Sequence, residues 1–238
     1  MSSSPQQRIL PSITECFRAI RAPTLYRNFG IHLFVMLPAA MLMCTLASRI
    51  DHKLSYAFPL EAPLNLLLGL SLIGVGGLWV WYVYGYLYLA GGGSPGTHVD
   101  GGPVRMVDTG PYAAIRHPSV LGKLLGVTGL GIIWQSSTFL LGFLPILILY
   151  SLISNRLLQE RFCEDRFGDR YVQYREQVPM LIPRASGIRR WQRGTPALKA
   201  IELVSVQEQP PGVWMEFRWY LIGLISLILC FGGMALVA

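Results

Sequence analysis

Apolar residues in this sequence arrive in blocks long enough to cross a bilayer, and that patterning constrains the fold before any motif is considered. The blocks run from about Ile31 to Ala47, Leu64 to Leu89, Pro118 to Trp134, Ser137 to Ile153 and Trp219 to Val237. A spanning helix needs about 20 mostly apolar residues to cross roughly 30 Å of hydrocarbon. Composition agrees: 52% of residues are hydrophobic and 14% charged, against about 25% charged in soluble domains. The sequence predicts an all-α, polytopic membrane helix bundle of about five transmembrane helices, without internal repeats.

Charge sets the orientation. The formal net charge is +7, and the basic residues lie between the apolar blocks, where anionic headgroups and membrane orientation account for them and nucleic acid does not. Arg8, Arg18, Arg21 and Arg27 precede the first block, Arg105 and Arg116 lie between the second and third, and Arg156 to Lys199 with Arg218 fall between the fourth and fifth. Only Arg49 and Lys53 fall on the other side. The positive-inside rule then places the N-terminus and both motif-bearing loops in the cytoplasm and the C-terminus opposite. The first thirty residues are mixed and polar and do not read as a cleavable signal peptide. Small size without an extra domain points to a prokaryotic inner membrane. Cys16, Cys44, Cys163 and Cys230 show no metal-ligand spacing, so neither a disulfide framework nor a metal site is expected.

Along the chain, residues 1–30 form a cytoplasmic or interfacial segment with one or two short helices over Pro11 to Asn28. Residues 31–90 hold two transmembrane helices, the second ending in an aromatic cluster from Trp79 to Tyr88 that suits a bilayer interface, the favoured reading, or an aromatic-lined cavity. Residues 91–184 form the core of the molecule. They begin with a Gly-rich loop, Gly91 to Gly102, that lacks the strand a dinucleotide fingerprint requires. The fourth apolar block continues without a breaker to Phe167, with a kink expected at Pro145 and a C-cap at Gly168. At about 1.5 Å per residue it spans roughly 45 Å, so its last turns project into water. Only Gln135 and Ser136 separate it from the third block, which predicts a tight helical hairpin. A short helix is expected over about Asp169 to Gln177. Residues 185–212 read as a cytoplasmic linker and 213–238 as the last transmembrane helix.

The chemistry concentrates in two stretches. Gly110-Pro111-Tyr112 is followed by Arg116-His117-Pro118 and then Gly122, at the mouth of the third helix. Pro118 suits a first helical turn, and Gly122 with Gly126 leaves one face bare for a ligand or a backbone. The second stretch is Gln159-Glu160, then Phe167-Gly168, Tyr171, Tyr174, Val178-Pro179 and Pro183. The hairpin brings a cation, an imidazole and a carboxylate to one membrane surface. Each has a plain structural reading too: Arg116 as an orientation anchor, Glu160 as the partner of Arg156 four residues earlier, Tyr171 and Tyr174 as packing.

The ordered set of these motifs, over about residues 107 to 184, resembles the isoprenylcysteine carboxyl methyltransferase family, part of a wider group with the membrane phospholipid methyltransferases. The first two spans and the last match it only in being hydrophobic. The resemblance implies S-adenosylmethionine as cofactor, bound in a C-terminal cytoplasmic region, and a lipid-like methyl acceptor. It implies cofactor contacts from Tyr112, His117, Pro118, Gly122, Gln159, Glu160, Tyr171, Tyr174, Val178 and Pro179, and catalytic roles for Arg116 and Glu160. An ionised carboxylate acceptor would need no general base and could be held by Arg116. An amine or thiol acceptor would call on Glu160 or His117 as base. Two departures, Val120 where the family often has Tyr and Gln159 in place of a first Glu, bear on the acceptor. Rival readings are a membrane sterol-type reductase using NADPH and a non-enzymatic scaffold of the same fold. A transporter is disfavoured, because no ionisable side chain other than tyrosine sits mid-span.

Overall fold

The computed structural model describes residues 10–19, 23–92, 103, 105–198, 225 and 229, and among these every regular element is helical. Helix α1 (Ile13–Ala19) starts at a capping box. The Ser12 hydroxyl accepts the Glu15 N–H at 3.3 Å, and the Glu15 carboxylate accepts the Ser12 N–H at 2.8 Å. Helix α2 (Pro23–Leu54) is 32 residues long and contains Pro38. It overruns the first apolar block at both ends, so residues 23–28 are its opening turns and not a separate interfacial helix. The cause is local: Pro23 suits a first turn, and a single glycine, Gly30, costs only about 1 kcal/mol in a helix.

Helix α3 spans Leu64–Ala90 and α4 spans Pro118–Ile133. A further helix runs without a break over Phe139–Phe167. It contains a π segment at Phe139–Phe143, α5 (Leu144–Ser154), a second π segment at Asn155–Gln159 and α6 (Glu160–Phe167). Pro145 sits in the first turn of α5, directly after the first π segment. The wider π turn is one of the recurring ways a long helix alters its hydrogen-bond register. Gly168, at φ 56°, ends α6 in a left-handed conformation that favours glycine, and α7 (Asp169–Gln177) follows. Helix α8 (Ala185–Gln192) occupies part of the stretch read as a linker.

Two compact units make up the chain. The first contains Arg27–Val80 and Val120–Asn155. Its core is Met43, Cys44 and Ala47 of α2 against Leu130, Phe139 and Phe143. Here α3 and α4 approach backbone to backbone through paired glycines: a Cβ on Gly129 would lie 2.5 Å from the Gly69 carbonyl oxygen, and one on Gly122 would lie 2.7 Å from that of Gly76. Small residues that allow such approach are a common basis of helix packing in membranes.

In the same unit the buried Asp51 carboxylate, at the end of α2, closes the α4–α5 hairpin. It accepts the Ser136 hydroxyl at 2.5 Å, the Thr138 hydroxyl at 2.6 Å and the Thr138 N–H at 2.9 Å. Ser136 in turn accepts the Phe139 N–H at 3.1 Å. The negative charge thus sits on the unpaired N–H groups of a helix start, where it is favoured. Asp51→Ala is expected to cost roughly 2–3 kcal/mol, because three donors lose a charged acceptor. Thermal unfolding in detergent, compared with Asp51→Asn, measures it; an unchanged midpoint would refute this role.

The second unit comprises the described parts of Met1–Tyr26, Trp81–Ser119 and Arg156–Val213. Its core is Phe167, Tyr171, Tyr174, Val178, Ala197 and Leu198.

Two helices among the described residues, Leu64–Ala90 and Phe139–Phe167, are long and apolar enough to cross a membrane. Only 22% and 17% of their most apolar windows are buried, so neither is the core helix of a soluble domain. Leu67, Leu78, Leu141 and Leu149 are all more than half exposed. Helix α4, with 16 residues, is apolar but shorter. The fifth apolar block, including the segment 213–238, lies outside the described residues except Ile225 and Leu229, which are helical.

Candidate functional site

The site is built on a short 3-10 turn, Gly110–Ala113. Gly110 has φ +57°, and a Cβ there would lie 2.6 Å from the Tyr86 hydroxyl, so both backbone and packing demand glycine. Tyr86 donates to the Thr109 hydroxyl at 2.9 Å. Tyr174 of α7 donates to the Tyr112 carbonyl at 2.7 Å and fastens the turn from below. Burial pushes the phenols of Tyr112, Tyr171 and Tyr174 up from their ordinary range, so they act as neutral donors and packing surfaces.

After the turn, the backbone pairs with the segment that follows α7. Arg116 N–H donates to the Pro179 carbonyl at 2.9 Å and His117 N–H to that of Met180 at 3.2 Å. The Arg116 guanidinium then does two things. Its Nη1 donates to the carbonyls of Arg175 (2.5 Å) and Val178 (3.0 Å), satisfying the end of α7. Its Nη2 lies 2.9 Å from Glu160 Oε1. His117 Nε2 lies 3.3 Å from the same oxygen, and Arg156 Nη1 2.8 Å from Oε2.

Glu160 is therefore the hub of the cluster, 1% exposed, with Arg116 and His117 each 9% exposed and Arg156 52% exposed. A carboxylate can only accept, so the shared contact puts an N–H on His117 Nε2 and leaves Nδ1 outside the cluster. One donor is left over: Arg116 Nε is buried with no hydrogen-bond partner among the described residues. A buried guanidinium N–H without an acceptor is costly, and an anionic or carbonyl-bearing ligand would satisfy it.

The sequence-derived site residues divide into three groups. Arg116, His117 and Glu160 meet directly, joined by Arg156 in the helical pairing the spacing predicts. Tyr112, Tyr171, Tyr174 and Val178 form a buried layer behind them, with Pro179 lending its carbonyl and Pro118 buried at the start of α4. Gln159 is exposed at the end of the second π segment. Gly122 belongs to the other compact unit, and the space beside it is filled by the Gly76 backbone. Of the two possibilities its bare face left open, a ligand or a backbone, the backbone of α3 is what lies there.

Several contributors were not legible. Asp108 is buried, its carbonyl accepting the Ala197 N–H at 2.8 Å and its carboxylate the Leu198 N–H at 3.4 Å. Arg175 pairs with Glu164 and so ties α7 to α6. Helix α8 seats Gly187 on Ala114, and Arg190 donates to the Ala113 carbonyl at 3.2 Å. The π segment before Glu160 had one faint signal, Asn155 on an apolar helix; its side chain donates to the Ser151 carbonyl at 2.6 Å. Among the described residues no group of three metal-ligating side chains is present.

Exposed apolar helices of membrane length, one of which carries Glu160 in its last turns against Arg116 and His117 of the segment before α4, point to a class: helical membrane proteins with a polar site at the end of a span. Comparison with known families narrows it, because residues 64–170 match the phospholipid methyltransferase family. Over that range, somewhat under half of its length, the chain is similar to this family of methyltransferases. The match reaches back through α3, which the motifs alone did not indicate, and ends before Tyr171. The chain is also similar to the protein-S-isoprenylcysteine O-methyltransferase of Schizosaccharomyces pombe, 35% identical over 79 residues. That alignment covers 33% of this chain and 33% of the relative, so the chain spans about a third of the length of the curated relative it matches. No solved structure matches.

Proposed function

We propose that this protein is an integral membrane, S-adenosylmethionine-dependent methyltransferase whose acceptor is lipophilic, in first place the carboxylate of an isoprenylcysteine or a similar lipid. The observation that carries this reading is the buried Arg116–His117–Glu160 cluster with its unpaired Arg116 Nε. It lies within a chain that matches a methyltransferase family over residues 64–170. The relative named for an isoprenylcysteine substrate supports the choice of acceptor.

When bound, S-adenosylmethionine supplies an electrophilic methyl group on a sulfonium, with a neutral thioether as leaving group. The residues here that would hold it are Arg116 and His117, over the layer made by Tyr112, Tyr171, Tyr174 and Val178, with Gln159 at the exposed edge and Pro118 and Pro179 framing the backbone. Arg116 Nε offers a donor to a carboxylate. In its neutral form His117 offers an acceptor at Nδ1. Glu160 fixes both side chains, and its own charge is already compensated by two guanidinium groups, so it serves better as an anchor than as a general base. For a carboxylate acceptor the remaining demand is alignment, which rigidly held groups meet. For an acceptor that must lose a proton, His117 is the group placed to take it. The excess of basic residues in the loops supports a cytoplasmic N-terminus and a cytoplasmic site.

Calorimetric titration of the purified protein with S-adenosylmethionine tests the reading. Saturable binding is expected, weakened at least about tenfold by His117→Ala, the loss of one good polar contact. A folded wild-type protein that binds no S-adenosylmethionine but binds NADPH would overturn it in favour of a reductase.

A further inference from the structure

The second compact unit carries a surface outside the Arg116–His117–Glu160 cluster. Helices α1 and α8 both attach to the aromatic end of α3. The Trp81 indole N–H donates to the Phe17 carbonyl at 3.2 Å, and the Phe17 ring lies 5.7 Å from that of Trp81. Trp191 of α8 hydrogen-bonds Tyr82, the next residue of α3. The residues flanking the two short helices also meet, since a Cβ on Gly194, after α8, would lie 3.3 Å from Cδ1 of Leu10, before α1. Trp and Tyr near the end of a spanning helix mark the level of the headgroups, so both short helices are fastened at that depth.

Their outward residues fit that position. Helix α8 turns Gly187, Arg190 and Trp191 inward, leaving Ile188 and Arg189 outside. Ile182 is 80% exposed, and Ile13 on α1 is 65% exposed. Arg184, Arg189 and Arg193 are exposed alongside. No Asp or Glu occurs between Glu176 and Glu202. Exposed isoleucines interleaved with unopposed arginines are poorly placed in water. They are well placed where aliphatic side chains enter the acyl boundary and guanidinium groups meet phosphates.

We propose that α8, with its flanking residues Ile182 to Arg193, is an anionic-phospholipid docking surface of the protein's own bilayer, braced by α1. The occupant is the phosphodiester headgroup of an acidic lipid such as phosphatidylglycerol. The surface rests on the membrane reading of the helices and stands independently of the methyl-transfer chemistry.

Native mass spectrometry of the full chain, released from micelles holding equal phosphatidylglycerol and phosphatidylcholine, tests this. Wild type is expected to retain phosphatidylglycerol preferentially. Each basic side chain at an anionic surface is worth about fivefold in binding, so R184Q/R189Q/R193Q should reduce that retention by at least about tenfold while circular dichroism stays unchanged. Should the triple variant fail to fold, R189Q alone should lower it by about fivefold. Equal retention of the two lipids by wild type, or an undiminished preference in a folded variant, overturns the proposal.

Discussion

Glu160→Ala is expected to cost about 3–5 kcal/mol of stability, the usual result of removing one partner from a buried ion pair, and to abolish methyl transfer. The arms of the cluster contribute unequally. Arg156 is 52% exposed, and a pair of that kind is worth about 0–1 kcal/mol. Arg116 is 9% exposed and already has an unpartnered Nε; without Glu160 its buried charge keeps only two backbone carbonyls. The same substitution releases His117, which then has no carboxylate to fix its tautomer. Glu160→Gln keeps an acceptor for Arg116 without the charge, and is expected to recover part of the stability and little of the activity. Thermal unfolding in detergent together with a labelled-methyl assay measures both. A Glu160→Ala protein with unchanged midpoint and rate would remove Glu160 from the account.

Gly122→Leu is the second large effect. A Cβ at Gly122 would lie 2.7 Å from the Gly76 carbonyl oxygen, 2.7 Å from Val80 Cγ2 and 2.8 Å from Trp79 Cδ1. A carbonyl oxygen of a spanning helix cannot swing aside as a side chain can, so α3 and α4 must separate. Overpacking costs about 1–3 kcal/mol for small additions, and Leu adds three further carbons. Gly126 supplies the control: a Cβ there meets nothing within 4 Å, so Gly126→Ala is expected to be neutral or slightly stabilising. Equal midpoints for Gly122→Leu and wild type, with a changed cofactor affinity, would return Gly122 to the ligand site.

How far these features are readable in the sequence depends on the range over which each is decided. The unbroken helix from the fourth apolar block to Phe167, its Gly168 end and the helix over 169–177 follow from local signals, namely the absence of breakers and one glycine with positive φ. The Arg156–Glu160 pair follows from helical spacing. The cluster as a whole was legible because a two-residue hairpin leaves few ways to arrange Arg116, His117 and Glu160. What escaped depends on distant partners. Asp51 looks like a loop residue until the start of the fifth helix is placed over it. Gly122 looks bare until Gly76 fills the space. Helix α8 hides in a basic, Pro-flanked stretch because its helix is held by Ala114 and Tyr82, far away in sequence. The π segments carry almost no sequence signal.

The central claim is that the Arg116–His117–Glu160 cluster is the site of a lipid-directed methyl transfer. Incubating the reconstituted protein with labelled S-adenosylmethionine and an isoprenylcysteine bearing a free carboxylate, beside its Arg116→Ala variant, tests it most directly. The account predicts base-labile label in the lipid product, as a methyl ester gives, and loss of at least about a hundredfold in rate for Arg116→Ala, as removal of a charged contact to reacting groups implies. A folded wild-type protein that transfers no methyl group, or an Arg116→Ala variant that transfers it at the wild-type rate, would contradict it.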